Sequence, residues 1–275
     1  MGRGGLGFGG PIVKPFMASQ AIRVENLTLS YRRHPAVHHL SCEFQVGSLT
    51  AIVGPNGAGK SSLLEALAGR LTPTTGALHM PRHGRSAVAY LAQQTRMDRS
   101  FPIRVLDLVM LGAWPRQGPF RGATVAQRQQ AQQALETVGL VGFEDRLIAE
   151  LSVGQFQRVL FARLLLQDAS LILLDEPFAA IDGRTTADLM VLVERWHAEQ
   201  RTVIVVLHDL AQVHSHFPST LLLARERIAH GPTALVLSTD NLQRARLMAE
   251  RWDEHAPWCG SDSSAQVTQQ AQLPV

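Results

Sequence analysis

Apolar residues along this chain fall in short blocks, and their spacing shifts from two to about four and back again. Residues 22–31 alternate apolar and polar side chains, the pattern of a half-buried strand. Residues 37–46 repeat it ahead of a turn at Gly47 and Ser48, and 49–53 form an apolar run that enters a glycine-rich loop. Beyond the loop, Leu63, Leu64, Leu67 and Leu71 share one face of a helix predicted over 62–71. Residues 87–91 predict a further strand.

The middle of the chain changes character. Helical periodicity over 105–111, 125–138 and 155–166, joined by Gly- or Pro-rich connectors at 115–122 and 139–142, predicts a helical insertion from about 94 to 167. Strand-like runs return at 171–175 and 203–207, with a helix over 185–200 between them. Residues 221–224, 227–229 and 234–237 read as closing strands, and 240–252 as a last helix. Strands alternating with helices predict an α/β fold with a mostly parallel sheet covered on both faces. The main domain is expected over 21–238, with a C-terminal helical segment over 239–256. Residues 1–20 read as a disordered leader, or Met17 as the natural start, and the Ser- and Gln-rich residues 257–275 as a disordered tail.

Composition removes several classes. The chain has 275 residues and is 45% hydrophobic, enough for one large core. No apolar run approaches the ~18 residues that a membrane-crossing helix needs, so another chain would have to supply any passage across a bilayer. A net charge of +3, without a Lys/Arg block or aromatic–basic interleaving, predicts no nucleic-acid partner. Two cysteines, Cys42 and Cys259, cannot form a disulfide framework and point to a reducing compartment. Residues 1–16 lack the apolar stretch of a signal peptide. Eleven histidines raise the question of metal binding. His38 and His39, His214 and His216, and the group Asp253, Glu254, His255 and Cys259 lack the spacing of a closed site, so surface or capping roles are expected.

Two segments carry chemistry. Gly54-Pro55-Asn56-Gly57-Ala58-Gly59-Lys60-Ser61 matches the phosphate-loop pattern between a strand and a helix, with Ser62 next in line. Its glycines let backbone N–H groups converge on phosphate oxygens, and the helix adds its positive end. Lys60 is expected on the β- and γ-phosphates, and the Ser61 hydroxyl on Mg²⁺. Residues 171–175 form an apolar strand ending in Asp175, followed by Glu176. Asp175 fits a residue that holds Mg²⁺; Glu176, pointing the other way in an extended chain, fits the general base for an attacking water. ATP and Mg²⁺ are therefore the expected cofactors.

Between these sites lies Leu151-Ser152-Val153-Gly154-Gln155 at the head of a helix. It resembles the Leu-Ser-Gly-Gly-Gln signature of ATP-binding cassette (ABC) ATPases, with Val153 where the family has glycine; by itself Ser152 fits a helix N-cap equally well. The other family positions follow in order. Tyr31 resembles the adenine-stacking aromatic, though a core tyrosine at a strand end fits as well. Gln93, with Gln94 beside it, resembles the Q-loop glutamine that touches Mg²⁺ or water. Residues 179–182 resemble the D-loop, ending in Asp182, and His208 resembles the switch histidine that contacts the γ-phosphate. The resemblance covers about residues 22–237. It implies a P-loop NTPase of ABC type: a mostly parallel core sheet, an antiparallel β subdomain and an inserted α-helical subdomain. It also implies a head-to-tail homodimer in which Ser152, Val153, Gly154 and Gln155 face nucleotide on the second copy.

Only about ninety residues separate phosphate loop and signature, too few for a long coiled coil. The chain looks like the separate motor of a bacterial transporter, peripheral at the cytoplasmic face of the inner membrane. Residues 100–112, 138–146 and 175–178 are similar to zinc and manganese importer ATPases. That similarity implies a multispanning permease and, indirectly, a periplasmic or lipoprotein metal-binding protein, with zinc favoured over manganese. Iron-chelate uptake is the alternative cargo. A soluble ABC ATPase of a cytosolic assembly, such as iron–sulfur cluster building, is the alternative class.

Overall fold

The computed structural model describes residues 21–31, 34–80, 88–93, 99–114 and 124–250. The expected leader, the whole 115–122 connector, Gln94, the tail and the Asp253–Cys259 group lie outside them. The order is β1 (Ile22–Tyr31), β2 (His34–Phe44), β3 (Leu49–Val53), α1 (Lys60–Leu67), β4 (Thr75–His79) and β5 (Val88–Leu91). The helices α2 (Val105–Met110), α3 (Val125–Thr137) and α4 (Val153–Gln167) follow. Then come β6 (Leu171–Asp175), α5 (Gly183–Ala198), β7 (Thr202–Val206), α6 (Leu210–His216), β8 (Ser219–Ala224), β9 (Glu226–Pro232), α7 (Thr233–Val236) and α8 (Thr239–Glu250).

The main sheet has the order β5-β6-β7-β3-β8-β9, parallel throughout except for β9, which pairs antiparallel with β8. Strands β3, β6 and β7 are buried at every position, which is why they read as nearly continuous apolar runs. Their alternating side chains split the interior in two. Ala51, Val53, Ile172, Leu174, Val203 and Val205 meet the helical side. Ile52, Leu171, Leu173, Ile204 and Val206 join α1 and a smaller antiparallel sheet, β2-β1-β4. On the helical side Phe161 stacks on Trp196 with ring centres 5.7 Å apart, an arrangement worth about 0.5–1.5 kcal/mol beyond area burial.

Three expectations change. Helix α1 ends at Leu67, short of Leu71, because Gly69 and Arg70 close it: Gly69 N–H donates to Ala66 O and Arg70 N–H to Glu65 O, the paired bonds of a Schellman stop. Residues 234–237 do not form a strand. They lie largely in α7, which turns the chain off β9 and buries Thr233 and Val236. The four-residue apolar run carries no periodicity by which sequence could separate the two. Strand β4 and helix α6 have no counterpart in the sequence pattern. β4 is a half-exposed edge strand, and α6 buries only Val213.

His230 on β9 lies opposite Leu221, with its ring 5.6 Å from Phe44. Burial, and secondarily the Arg227 charge, hold its pKa below the ordinary histidine value. Protonation therefore favours the unfolded chain, and the stability associated with neutral His230 is present above about pH 6.5 and lost as pH falls toward the lowered value. Urea midpoints at pH 7 and pH 5 should lie closer together in His230→Gln than in the parent; an equal gap in the two proteins would remove His230 as a cause.

Candidate active site

Four neighbouring parallel strands, β5, β6, β7 and β3, deliver their C-terminal ends to the same edge of the sheet. Open α/β sheets build ligand sites at that edge, because each strand there hands over to a loop.

Strand β3 hands over to residues 54–59. Gly54 has φ 151°, and a Cβ on it would stand 1.9 Å from the Leu223 carbonyl oxygen. Gly59 has φ 88°, and its Cβ would stand 2.2 Å from the Ala36 oxygen. Neither position can carry a side chain without moving backbone, so the loop's path depends on glycine. Ala58 N–H turns back to Pro55 O at 3.2 Å, and Asn56 and Gly57 lie exposed at the loop's tip. Because Gly59 precedes α1 and no side chain caps it, the first N–H groups of that helix are unblocked toward an anion.

Lys60 is buried, at 6% exposure, with Nζ donating to Gly54 O and Pro55 O, both at 2.9 Å. Burial lowers its pKa, while the charges of Glu176 and Asp175 act in the opposite sense. Ser61 Oγ donates to Asp175 Oδ1 at 3.1 Å. A hydroxyl and a buried carboxylate this close, beside a phosphate cradle, form the hard-oxygen donor set that suits Mg²⁺ sharing ligands with phosphate and water. Ser62, on the same turn, is buried inside α1.

Glu176 departs from the expected extended geometry. Its φ is 49°, in the left-handed region, and Ala179 N–H closes a turn onto its carbonyl at 3.2 Å. The turn, anchored by Glu176 N–H on Val206 O at 3.2 Å, carries the carboxylate across the strand ends. There Gln93 Nε2 donates to Glu176 Oε2 at 2.8 Å, and His208 Nε2 lies 2.5 Å from Oε1. A left-handed non-glycine residue costs on the order of 1 kcal/mol and often accompanies a functional site. Gln93 reaches Glu176 because β5 is paired to β6, and His208 because it follows β7 on the other side.

Lys60, Ser61, Gln93, Asp175, Glu176 and His208 thus converge. The signature residues form a second group. Ser152 caps α4 and Gln155 answers it: Gln155 N–H donates to Ser152 Oγ at 3.2 Å, and Ser152 N–H to Gln155 Oε1 at 3.0 Å. Val153 opens α4 with its side chain 37% exposed and no left-handed backbone, so glycine is not required there for the chain's path. Gly154 packs against the head of α5, where a Cβ would meet Thr185 Oγ1 at 3.4 Å and Asp182 Oδ2 at 3.6 Å. Asp182 caps α5 by accepting from Thr185 N–H at 2.9 Å, and that bond is the first cause of its lowered pKa. Tyr31 ends β1, but its side chain lies outside the described residues. Among the described residues no three His, Cys, Asp or Glu side chains group to hold a metal, and no helix is long and apolar enough to cross a membrane.

The sequence model of the ABC transporter family matches residues 37–179. The chain belongs to that family. It is an ABC ATPase with a P-loop NTPase fold, and as such binds and hydrolyses ATP. It is 37% identical over 228 residues to the manganese transport system ATP-binding protein MntB of Listeria monocytogenes, covering 82% of this chain and 95% of that one. It is 38% identical over 229 residues to the zinc transport system ATP-binding protein TroB of Treponema pallidum, covering 82% and 86%. Among solved structures it resembles the dimeric bacterial ABC transporter cassette MJ0796, at 26% identity and TM-score 0.68, covering 77% of this chain and 98% of that one.

Proposed function

We propose that this ABC ATPase is the motor of a bacterial importer for a divalent metal ion, zinc in preference to manganese, peripheral at the cytoplasmic face of the membrane and docked on a separate permease. The observation that carries the reading is the pair of relatives, one named for manganese and one for zinc, each alike over 82% of this chain. A periplasmic or lipoprotein metal-binding protein would bring the cargo.

The working unit is two copies head to tail. Lys60 and the N–H groups at the head of α1 bind the phosphates of one ATP. Ser61, Asp175 and Gln93 would hold Mg²⁺, which when bound neutralises phosphate charge. Ser152, Gly154 and Gln155 of the second copy close over the same nucleotide, with Asp182 linking the two sites. Glu176 takes a proton from a water whose oxygen attacks the γ-phosphorus, the bond to the β-phosphate oxygen breaks, and ADP and phosphate leave. His208 and Gln93 orient that carboxylate and the γ-phosphate. Tyr31 is the candidate for stacking on adenine. Closure and reopening of the dimer move the permease.

A strain lacking this chain should fail to grow under metal chelation, with growth restored by excess zinc and not by manganese. Rescue by manganese alone would reassign the cargo within the same reading, and rescue by neither would overturn metal import.

A further inference from the structure

The signature turn is gripped by two arginines that belong to none of the motifs described above. Arg99, on the segment that follows Gln93, donates through Nη2 to the carbonyl of Leu151. Its guanidinium also sits 4.9 Å from the centre of the buried Phe156 ring. Leu151 and Phe156 immediately bracket Ser152–Gln155, so Arg99 contacts both flanks of the signature.

Arg158 holds the opposite side. Its Nη1 donates to Val138 O at 3.0 Å, and its Nη2 to Asp188 Oδ2 at 2.7 Å and Thr185 Oγ1 at 3.4 Å. Its side chain is only 18% exposed. Thr185 Oγ1 donates in turn to Asp182 Oδ2 at 2.8 Å. Arg158 therefore joins three pieces of chain: the connector after α3, the helix that begins with the signature, and the helix capped by Asp182. A planar guanidinium with fixed N–H directions sets the angle between such elements; a flexible ammonium does not.

We propose that Arg99 and Arg158 are positioning residues for the signature motif, fixing the heads of α4 and α5 in the one mutual orientation that closes over nucleotide on a second copy. The proposal rests on the composite-site reading above. A site closed from two chains is sensitive to placement: a shift of about 1 Å can cost on the order of 100-fold in rate. A merely structural role would act differently, lowering stability and the chain's own ATP binding together.

The test uses the full chain carrying Glu176→Gln, which blocks hydrolysis. Two quantities are read: affinity of the dilute single chain for a fluorescent ATP analogue, and ATP-driven self-association by sedimentation. Arg158→Met and Arg99→Met, each added to this background, should leave nucleotide affinity within about twofold and weaken self-association tenfold or more. In the chain with Glu176 intact, kcat should fall at least tenfold with KM for ATP little changed. If Arg158→Met does not fold, Arg158→Lys and Arg99→Met carry the same comparison. Unchanged self-association, or affinity and self-association lost in equal proportion, overturns the proposal. Absence of ATP-driven self-association in the Glu176→Gln parent is a separate result, one that removes the composite-site reading and this proposal with it.

Discussion

Glu176→Gln should bind ATP about as well as the parent and hydrolyse it slower by on the order of 10²–10⁴-fold, the range that a positioned general base contributes. The geometry makes the substitution clean. Glu176 already sits in a left-handed turn anchored through its own backbone, so the side chain does not hold the loop's path. A glutamine fills the same volume. Its oxygen can still accept from Gln93 or His208, the two partners of the native carboxylate. What it cannot do is take a proton from water. Single-turnover hydrolysis beside equilibrium ATP binding separates the two effects, and turnover near the parental rate would sink the base assignment.

Lys60→Met should abolish tight nucleotide binding, with ATP affinity falling about 100-fold or more. The ammonium is a charged donor at the throat of the loop, and charge-assisted bonds to phosphate are each worth about 1.5–3 kcal/mol. Two of them correspond to at least two decades in Kd. The native cation also donates to Gly54 O and Pro55 O, so the variant should lose some stability as well. The discriminating measurement is the thermal upshift that saturating ATP gives the parent, since a ligand stabilises only a fold it binds. That upshift should vanish in Lys60→Met. A normal upshift would mean that the loop's backbone and helix end bind phosphate without the lysine.

Local signals were strong wherever backbone requirements and chemistry coincide in a few consecutive residues. The run from Gly54 to Ser61 is legible because two of its glycines stand where a Cβ would strike the Leu223 or Ala36 carbonyl, so spacing in sequence mirrors a steric demand in space. The buried strands were legible because both faces of the parallel sheet are covered. Elements with little buried surface were not: β4 lies at an edge, α6 buries one valine, and the apolar 234–237 run is largely a turn of helix. Arg99 and Arg158 left no local signal, because an arginine on a loop or helix looks the same whether it faces water or, like Arg158, holds a carbonyl, a carboxylate and a hydroxyl at once.

By itself the sequence determined the family, the phosphate loop, the acidic strand end and the order of the motifs, since each depends on residues close together along the chain. Tertiary structure alone decided which of them meet. Gln93, Glu176 and His208 lie far apart in sequence and share one carboxylate because β5, β6 and β7 are hydrogen-bonded neighbours ending at one edge. It also decided the direction of Glu176, which an extended strand would have aimed elsewhere and a left-handed turn brings back across the sheet. And it placed Gly154 of the signature against Asp182 and Thr185, because that position is set by how two helix heads pack, a relation that no spacing along the chain contains.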